Sequence, residues 1–188
     1  REARARERAK LKQSTEAVAE TLTMTDNGQR VPLDMAKLST LIESSCAGLG
    51  NTVDPALILK ATVKDLYDGV SLDEVNKSLV LSARVLIEKD PAYSYVTARL
   101  LLNNVRHEVL GEEVSQQAMQ AHYKDYFPAF IKRGIEAELL DQRLAQFDLS
   151  RLADALDAER DLQFDYLGLQ TLYDRYFIHH NNVRIELP

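Results

Sequence analysis

The sequence lacks the features that mark several common protein classes. Among its 188 residues there is one cysteine, Cys46, no tryptophan and only seven glycines. One cysteine excludes an internal disulfide framework and suits a reducing compartment. The glycines are scattered, so they form no glycine-rich phosphate loop. No apolar run approaches the roughly 18 residues of a membrane span, and no signal-peptide pattern is present. We therefore expect a cytoplasmic protein without a membrane partner.

Basic residues are in the minority. The chain has 23 Lys and Arg against 29 Asp and Glu, which gives a net charge of −6. A dedicated nucleic-acid binder is usually basic, so we expect no nucleic-acid partner. Hydrophobic residues make up 45% of the chain, which is ordinary for a soluble globular protein. These proportions favour one hydrophobic core, or one compact domain with part of another.

Residues 1–20 are the exception in charge, because Arg and Lys alternate there with Ala and Glu. The absence of Gly and Pro predicts a helix. An RNA- or phosphate-binding tail is the functional alternative, but glutamates interrupt the basic residues and no aromatic side chain can stack on bases. The pattern favours a linker helix. Because the chain begins without Met and stops after the strand-like "NNVRIEL", we expect a fragment of a longer polypeptide.

Turn and capping signals organise residues 21–111. The stretch "TMTDNGQRVPL" predicts a β-hairpin, since Asn-Gly supplies the positive φ angles of a two-residue turn. Four helix starts follow, each with a capping residue or an N-terminal proline. They lie at Asp34, at Asp54-Pro55, at Ser71 with Glu74, and at Asp90-Pro91. The second helix should run to about Tyr67 and the fourth should stop near Gly111. We expect a small hairpin cap on about four packed helices.

The amino-acid composition and the helical pattern change after "GEEVS", and we place a domain boundary there, near residues 112–115. Residues 115–178 carry aromatic side chains, short helical periods and several aspartate breaks. The end, "YFIHHNNVRIEL", predicts two short strands around a His-His-Asn-Asn turn. The fold class is therefore mainly α. It consists of a helical domain with a β-hairpin cap, then a helical segment and a short strand pair.

Three groups of residues suggest site chemistry. Adjacent histidines, His179 and His180, could ligate a metal, but neighbours on a strand point to opposite faces, which favours a turn tip. Cys46 has no nearby histidine to activate it and is expected to be a buried small hydrophobe. A dense acidic group lacks the glycine of a calcium loop, which favours a solvated helix face. Its members are Asp154, Asp157, Glu159 and Asp161. We expect no catalytic residue and no metal.

The layout resembles a known family at this point. The hairpin, "VPLDMAKL" and "VSLDEVNKSLVLSARVLIEKDPAYSYVTARLLLNNV" resemble the ATP-cone domain of ribonucleotide reductase large subunits. The stretch "RDLQFDYLGLQTLYDRYFIHHNNVRIEL" resembles the helical segment that precedes their catalytic barrel, and ties the chain to the aerobic, diferric-type enzymes. The resemblance implies a linker helix over 1–20, an ATP-cone-like domain over 21–111 and a truncated part of the large-subunit core over 115–188.

The resemblance also implies what the hairpin should contain. A nucleotide-binding ATP-cone usually has Lys-Arg-Asp-Gly at the turn, and this chain has Thr25-Asp26-Asn27-Gly28. The lysine and arginine that reach the phosphates are replaced by threonine and aspartate. Lys37 matches a family lysine. The other nucleotide-contacting histidine and lysine positions fall near Val75, Asn104 and His107, and none of these holds the expected residue.

Two functional interpretations remain open. The first is a degenerate inner ATP-cone that relays or supports allosteric control without binding nucleotide. The second is an active allosteric domain that binds ATP or dATP through an altered site. Under this alternative alone, the nucleotide-binding residues would be Thr25, Asp26, Gly28, Lys37 and His107, with Lys60 or Lys64 as further candidates. No cofactor is expected under the first interpretation.

The resemblance also implies the partners. The parent chain would be a ribonucleoside-diphosphate reductase, an enzyme of deoxyribonucleotide synthesis that supplies DNA replication, whereas this fragment is non-catalytic. Its reaction needs several cysteines and a radical path, and one cysteine is present. Expected partners are the rest of the large subunit, an outer ATP-cone joined by the leader helix, and the reductase small subunit. The resemblance also allows a homo-oligomer.

Overall fold

Helices dominate the fold, as the sequence predicted. The structure, a computed structural model, describes residue 6, residues 22–26 and residues 28–188. The helix predicted over residues 1–20 lies outside the described residues apart from Arg6, which is helical and exposed. The helices are α1 Met35–Cys46, α2 Pro55–Asp65, α3 Leu72–Val85, α4 Tyr93–Leu110, α5 Met119–Glu136, α6 Leu149–Asp154 and α7 Tyr166–Arg175. Short 3-10 segments are Leu86–Glu88, Gln116–Ala118, Gln142–Gln146 and Ala158–Gln163.

The strands are short. They are β1 Thr23–Asp26, β2 Gln29–Pro32, β3 Val70–Ser71, β4 His179–His180 and β5 Val183–Arg184. The first three form one sheet in the order β2-β1-β3, and the last two form a second sheet. Mainly α structure with small β-hairpins is therefore confirmed.

The chain divides into two compact units, Arg1–Leu100 and Leu101–Pro188, and the division falls within α4. The domain limits 21–111 and 115–188 were assigned from the family resemblance and not from contacts within the fold. They therefore stay predictions. Within the described residues, no helix is both long enough and apolar enough to cross a bilayer.

The predicted hairpin is present in the first unit. β1 and β2 are antiparallel, and Asp26 pairs with Gln29, which leaves two residues for the turn. Gly28 has φ +78°, a value that glycine adopts at little cost. The sequence did not predict β3, which adds to β1 in parallel by pairing Met24 with Val70. Two residues are too few for an alternating pattern to be visible.

The predicted caps begin the first three helices, whereas α4 begins at Tyr93, two residues after Pro91 of the predicted start. The Asp34 side chain accepts from Lys37 N, Asp54 accepts from Ala56 N, and Ser71 and Glu74 form a reciprocal capping box. α2 ends at Asp65, two residues before the predicted Tyr67. Apolar side chains from the hairpin exit and the helices form the core, including Leu33, Leu38, Ile42, Ile58, Leu59, Val63, Val70, Val75, Leu79, Ala83, Val96 and Ala98. Cys46 is buried as predicted.

The second unit packs the C-terminal end of α4 with α5, α6, α7 and the β4–β5 pair. Its buried residues include Leu102, Val105, Met119, Ile131, Leu169, Phe177 and Ile185. The prediction that both histidines form the turn tip was wrong. His179 and His180 are the residues of β4, and the tip is Asn181 and Asn182 with φ angles of 53° and 63°. Asparagine tolerates this left-handed conformation better than most residues.

Candidate functional site

Thr25 occupies the first position at which the family's phosphate-binding pair is expected. It is the third residue of β1, is half-buried and pairs with Ser71 of β3. Its hydroxyl donates a hydrogen bond to the carbonyl of Gly69, with an O–O distance of 3.0 Å. A hydroxyl has one proton to donate. The Thr25 donor is therefore already used between the hairpin and the segment that enters β3.

Asp26 occupies the second position. It ends β1, is half-buried and lies opposite Gln29. An ionised carboxylate accepts hydrogen bonds and donates none, so it offers a phosphate group only repulsion. Gly28 is exposed at the turn, and a Cβ atom there would meet nothing within 4 Å. The glycine is therefore needed for its φ angle and not for a close approach of other atoms.

Arg30 and Thr23 both contact Asp68, in the loop before β3. Thr23 donates to Asp68 Oδ1 through its backbone N at 3.0 Å and its hydroxyl at 2.6 Å. Arg30 forms an ion pair with Asp68 Oδ2 and also donates from Nε to the Thr23 hydroxyl oxygen at 2.8 Å. The hydrogen bonds from Thr23, assisted by the Arg30 charge, hold the pKa of the Asp68 carboxyl below its usual value. We call these three residues the Asp68 network.

The Arg30 guanidinium also lies against Gly69. A Cβ atom at position 69 would be 3.0 Å from Arg30 Nη2, and Gly69 has φ +82°. Glycine is therefore favoured there by its backbone conformation, and a larger residue would also displace the Arg30 side chain by a few tenths of an ångström.

Lys37 is exposed in the first turn of α1. The N-terminus of a helix can bind phosphate through its free N–H groups. Here the Asp34 carboxylate accepts from Lys37 N at 2.9 Å, so the helix supplies its own anion. Lys60 and Lys64 are exposed on α2. Lys37, Lys60 and Lys64 are the lysines of the first unit that an active ATP- or dATP-binding site would use.

The remaining predicted positions lie elsewhere. Val75 is almost fully buried in the core of the first unit. Asn104 and His107 are half-buried on the part of α4 that belongs to the second unit. The next residue, Glu108, pairs with Arg184 through two N–O distances of 3.1 Å.

The residues at the hairpin do not fit a nucleoside triphosphate. Three carboxylates, Asp26, Asp34 and Asp68, lie on the hairpin or the segments that adjoin it, together with two cations, Arg30 and Lys37. One of these cations, Arg30, is paired with Asp68. Phosphates are held in proteins by charge-assisted hydrogen bonds from Lys or Arg. The three carboxylates and two cations give these segments a net charge of −1, which disfavours binding of a negatively charged phosphate group.

The second unit contains a buried polar cluster that the sequence did not predict. Arg106 Nη2 donates to Asp161 Oδ2 at 2.9 Å and to Gln116 Oε1 at 2.6 Å. The Tyr123 hydroxyl donates to the same Asp161 oxygen at 2.9 Å. Burial raises the pKa of Asp161, whereas the hydrogen bonds from Tyr123 and Arg106 oppose that rise. Burial also raises the pKa of Tyr123, so its hydroxyl stays protonated as a donor.

This cluster corrects one prediction. Asp161 was placed on a solvated helix face, but it is 5% exposed and lies in the 3-10 segment Ala158–Gln163. The other members, Asp154, Asp157 and Glu159, are exposed as predicted. The missed signal was Arg106 on the apolar face of α4, because a charged side chain among buried positions requires an internal partner. Among the described residues, no three His, Cys, Asp or Glu side chains are placed to share a metal ion.

The β4–β5 pair is held to α4 by a second cluster. The guanidinium of Arg184 lies 3.4 Å from the centre of the Tyr173 ring and donates to the Tyr173 carbonyl. Arg184 N donates to Glu108 Oε1 at 2.9 Å. The guanidinium stacks on a ring, pairs with Glu108 through Nη1 and donates to a carbonyl through Nε and Nη2, a combination that favours arginine over lysine at this position.

Comparison with known proteins gives a consistent result, although no family model matches the chain. Over its whole length, the chain is 37% identical to the ribonucleoside-diphosphate reductase subunit alpha of Chlamydia trachomatis, of which it covers 18%. It is 33% identical to the same subunit of Helicobacter pylori, across 86% of the chain and 20% of that protein. The large subunit of Danio rerio is 29% identical across 81% of the chain and 19% of that protein. The chain therefore spans about a fifth of the length of these relatives.

Proposed function

Since the chain is homologous to part of the large subunit of ribonucleoside-diphosphate reductases, as its sequence predicted, we propose that it is a non-catalytic regulatory and structural segment of such a subunit. Residues 21–111 form a degenerate ATP-cone, which supports or relays allosteric control without binding nucleotide itself. The parent enzyme reduces ribonucleoside diphosphates in the cytoplasm and thereby supplies deoxyribonucleotides for DNA replication.

One observation carries this proposal. The hairpin keeps its turn, its register and its contact with β3, while the positions that would reach phosphate hold Thr25 and Asp26. The Thr25 hydroxyl is bonded to Gly69 and the carboxylate of Asp26 repels anions. The fold is thus retained where the phosphate chemistry is lost.

The charges at positions 25 and 26 determine how much affinity for a triphosphate should be lost. Two unit charges about 4 Å apart near a protein surface interact by roughly 1–4 kcal/mol, and each ~1.4 kcal/mol changes affinity tenfold. Replacing two cations by a neutral residue and an anion should therefore weaken triphosphate binding by several powers of ten. Lys37 is one cation against this deficit, and Arg30 is already paired with Asp68.

The absence of catalysis follows from Cys46. The reductase reaction requires several cysteines, and this chain has one, which is buried in the first unit. Burial raises the pKa of the Cys46 thiol to about 11. A thiol with that pKa is almost wholly protonated at neutral pH and reacts slowly, because the thiolate is the nucleophile. The radical chemistry therefore belongs to other parts of the polypeptide.

The partners follow from the same homology. The chain packs with the rest of the large subunit, receives the state of an outer ATP-cone through the leader segment, and works with a reductase small subunit. A homo-oligomer of large subunits is the further assembly that this proposal allows.

The alternative function is an active ATP- or dATP-binding regulatory domain. The exposed position of Lys37 in the first turn of α1, beside the hairpin exit, is the observation that favours it. Backbone N–H groups at the turn could add weak contacts to phosphate.

Thermal unfolding with and without nucleotide separates the two functions. A ligand that binds only the folded state stabilises it by roughly 2.7 kcal/mol at 100 times its dissociation constant. We expect no shift in the Tm of this chain with millimolar ATP or dATP beyond that caused by magnesium alone. A saturable shift that disappears in Lys37→Ala would establish the alternative.

The regulatory part of the proposal is tested in the complete large subunit. Removal of residues 21–89, which leaves α4 whole with Arg106 and Glu108 in place, should leave reductase turnover measurable and abolish the response of overall activity to ATP and dATP. An unchanged nucleotide response in this deletion would reject a relay role for the segment.

A further inference from the structure

The hairpin has few apolar contacts that could hold it in place. All four residues of β1 are half-buried, and three of the four residues of β2 are exposed. An isolated two-stranded hairpin is marginally stable in water. The parallel pairing with β3 adds only two residue pairs, Met24 with Val70 and Thr25 with Ser71. The position of the hairpin must therefore depend on other contacts.

Side chains from three segments supply these contacts. Thr23 and Thr25 of β1 and Arg30 of β2 all bond to Asp68 or Gly69, which are 38 to 45 residues away in sequence. Gly69 N also donates to the Thr23 carbonyl at 2.8 Å. Asp68 thus accepts from both strands of the hairpin, and Arg30 covers the glycine beside it.

We propose that the Asp68 network, together with the Thr25–Gly69 bond, is a latch that holds the hairpin against β3 without any ligand. This inference rests on the proposed function, because a segment that relays control without nucleotide must keep its hairpin placed by its own residues. The latch also explains the chemistry of the site. It uses the Thr25 hydroxyl and pairs the Arg30 guanidinium with Asp68, so both groups already have partners within the protein.

The latch is tested by amide hydrogen exchange on the nucleotide-free protein. In Asp68→Asn, which removes the charge and keeps the shape, we expect amides of β1 and β3 to exchange on the order of five- to tenfold faster. Asp65→Asn is the matched control, since Asp65 is an exposed carboxylate three residues away. Thr25→Val removes one hydroxyl at nearly constant volume and should speed exchange at the same amides.

A double-mutant cycle tests whether the residues act together. Arg30→Gln and Asp68→Asn should each speed hairpin exchange, and the double variant should be no faster than the faster single variant. Multiplicative effects of the two changes would show that they act independently and would overturn the latch. The same conclusion would follow if Asp68→Asn matched Asp65→Asn.

The outcome is separable from that of the proposed function. The exchange experiments contain no nucleotide, so a latch that fails leaves the question of ATP binding untouched. Conversely, nucleotide binding by the unmodified chain would reject the proposed function even where the exchange rates confirm the latch. Adding ATP to the unmodified chain should leave hairpin exchange unchanged if both hold.

Discussion

At the scale of the residue, the proposed loss of nucleotide binding rests on two side chains, Thr25 and Asp26. Both lie on β1, and the Thr25 hydroxyl also joins that strand to Gly69. A Lys-Arg pair at these positions would make the local charge positive, whereas this chain has a neutral residue and an anion there. At position 25, one side chain therefore affects both the ligand chemistry and the contact with Gly69.

This difference in charge at positions 25 and 26 predicts a gain of nucleotide binding. The double substitution Thr25→Lys with Asp26→Arg should raise the affinity for ATP measurably, because it restores two donors that bear positive charge. High salt should remove the gain, because exposed charges are screened. Full binding is not expected, since Val75 and His107 also differ from the family pattern. Calorimetric titration at low and high ionic strength measures both effects.

The control keeps the same change in net charge at other exposed positions of the first unit. Thr52→Lys with Asp65→Arg adds as much positive charge as the hairpin substitution. Equal affinities in the two double variants would mean that net charge, and not the position at the hairpin, causes the gain.

At the scale of the element, the buried pair Arg106 and Asp161 joins α4 to a 3-10 segment. Both side chains are about 6% exposed. Removing one partner of such a pair leaves an uncompensated buried charge, which is more costly than losing the attraction alone. The cluster therefore specifies how these elements pack, through the ion pair and through the hydrogen bonds from Arg106 to Gln116 and from Tyr123 to Asp161.

We expect Asp161→Ala to lower the free energy of unfolding by about 3–5 kcal/mol. Tyr123→Phe should cost about 1 kcal/mol, because it removes one hydrogen bond and leaves the pair intact. Urea denaturation measures both values. Glu159→Ala, a change at an exposed acid of the same segment, is the control. A loss from Asp161→Ala no larger than that of the control would show that Arg106 is satisfied by Gln116 alone.

The elements also show which features a sequence can predict. The caps at Asp34, Asp54 and Ser71 were predicted because each bond joins residues two or three positions apart. The bond between Arg106 and Asp161 spans 55 residues, and no local pattern encodes it. β3 was missed for a related reason, since its pairing with β1 depends on a contact across the hairpin and α1–α2.

The candidate site divides in the same way. The prediction that Thr25 and Asp26 replace two cations comes from the sequence alone, by comparison with the family motif. The use of the Thr25 hydroxyl by Gly69 and of Arg30 by Asp68 is visible only in three dimensions, because these partners are 38 and more residues apart.

At the scale of the whole molecule, the chain is about a fifth of the length of its relatives. In the second unit, a cavity of about 400 Å³ opens beside Tyr123, Asp161, Phe164 and Pro188. The backbone carbonyl of Pro188 accepts from the Tyr123 hydroxyl at 3.1 Å. We propose that contacts with other parts of a large subunit add to the stability of this unit.

Residues 115–188 should therefore be less stable in isolation than in the complete subunit. Amide hydrogen exchange of this region is expected to be faster in the isolated chain, most clearly in β4, β5 and the residues that follow. Equal protection of these amides in the isolated chain and in the complete subunit would contradict this expectation.

The central claim is that the hairpin is kept for the fold and has lost its nucleotide. Isothermal titration calorimetry of the unmodified chain with ATP and with dATP tests it most directly. The account predicts no saturable heat at physiological nucleotide concentrations. A dissociation constant in the micromolar range, with the nucleotide seen against the hairpin and lost in Lys37→Ala, would contradict it.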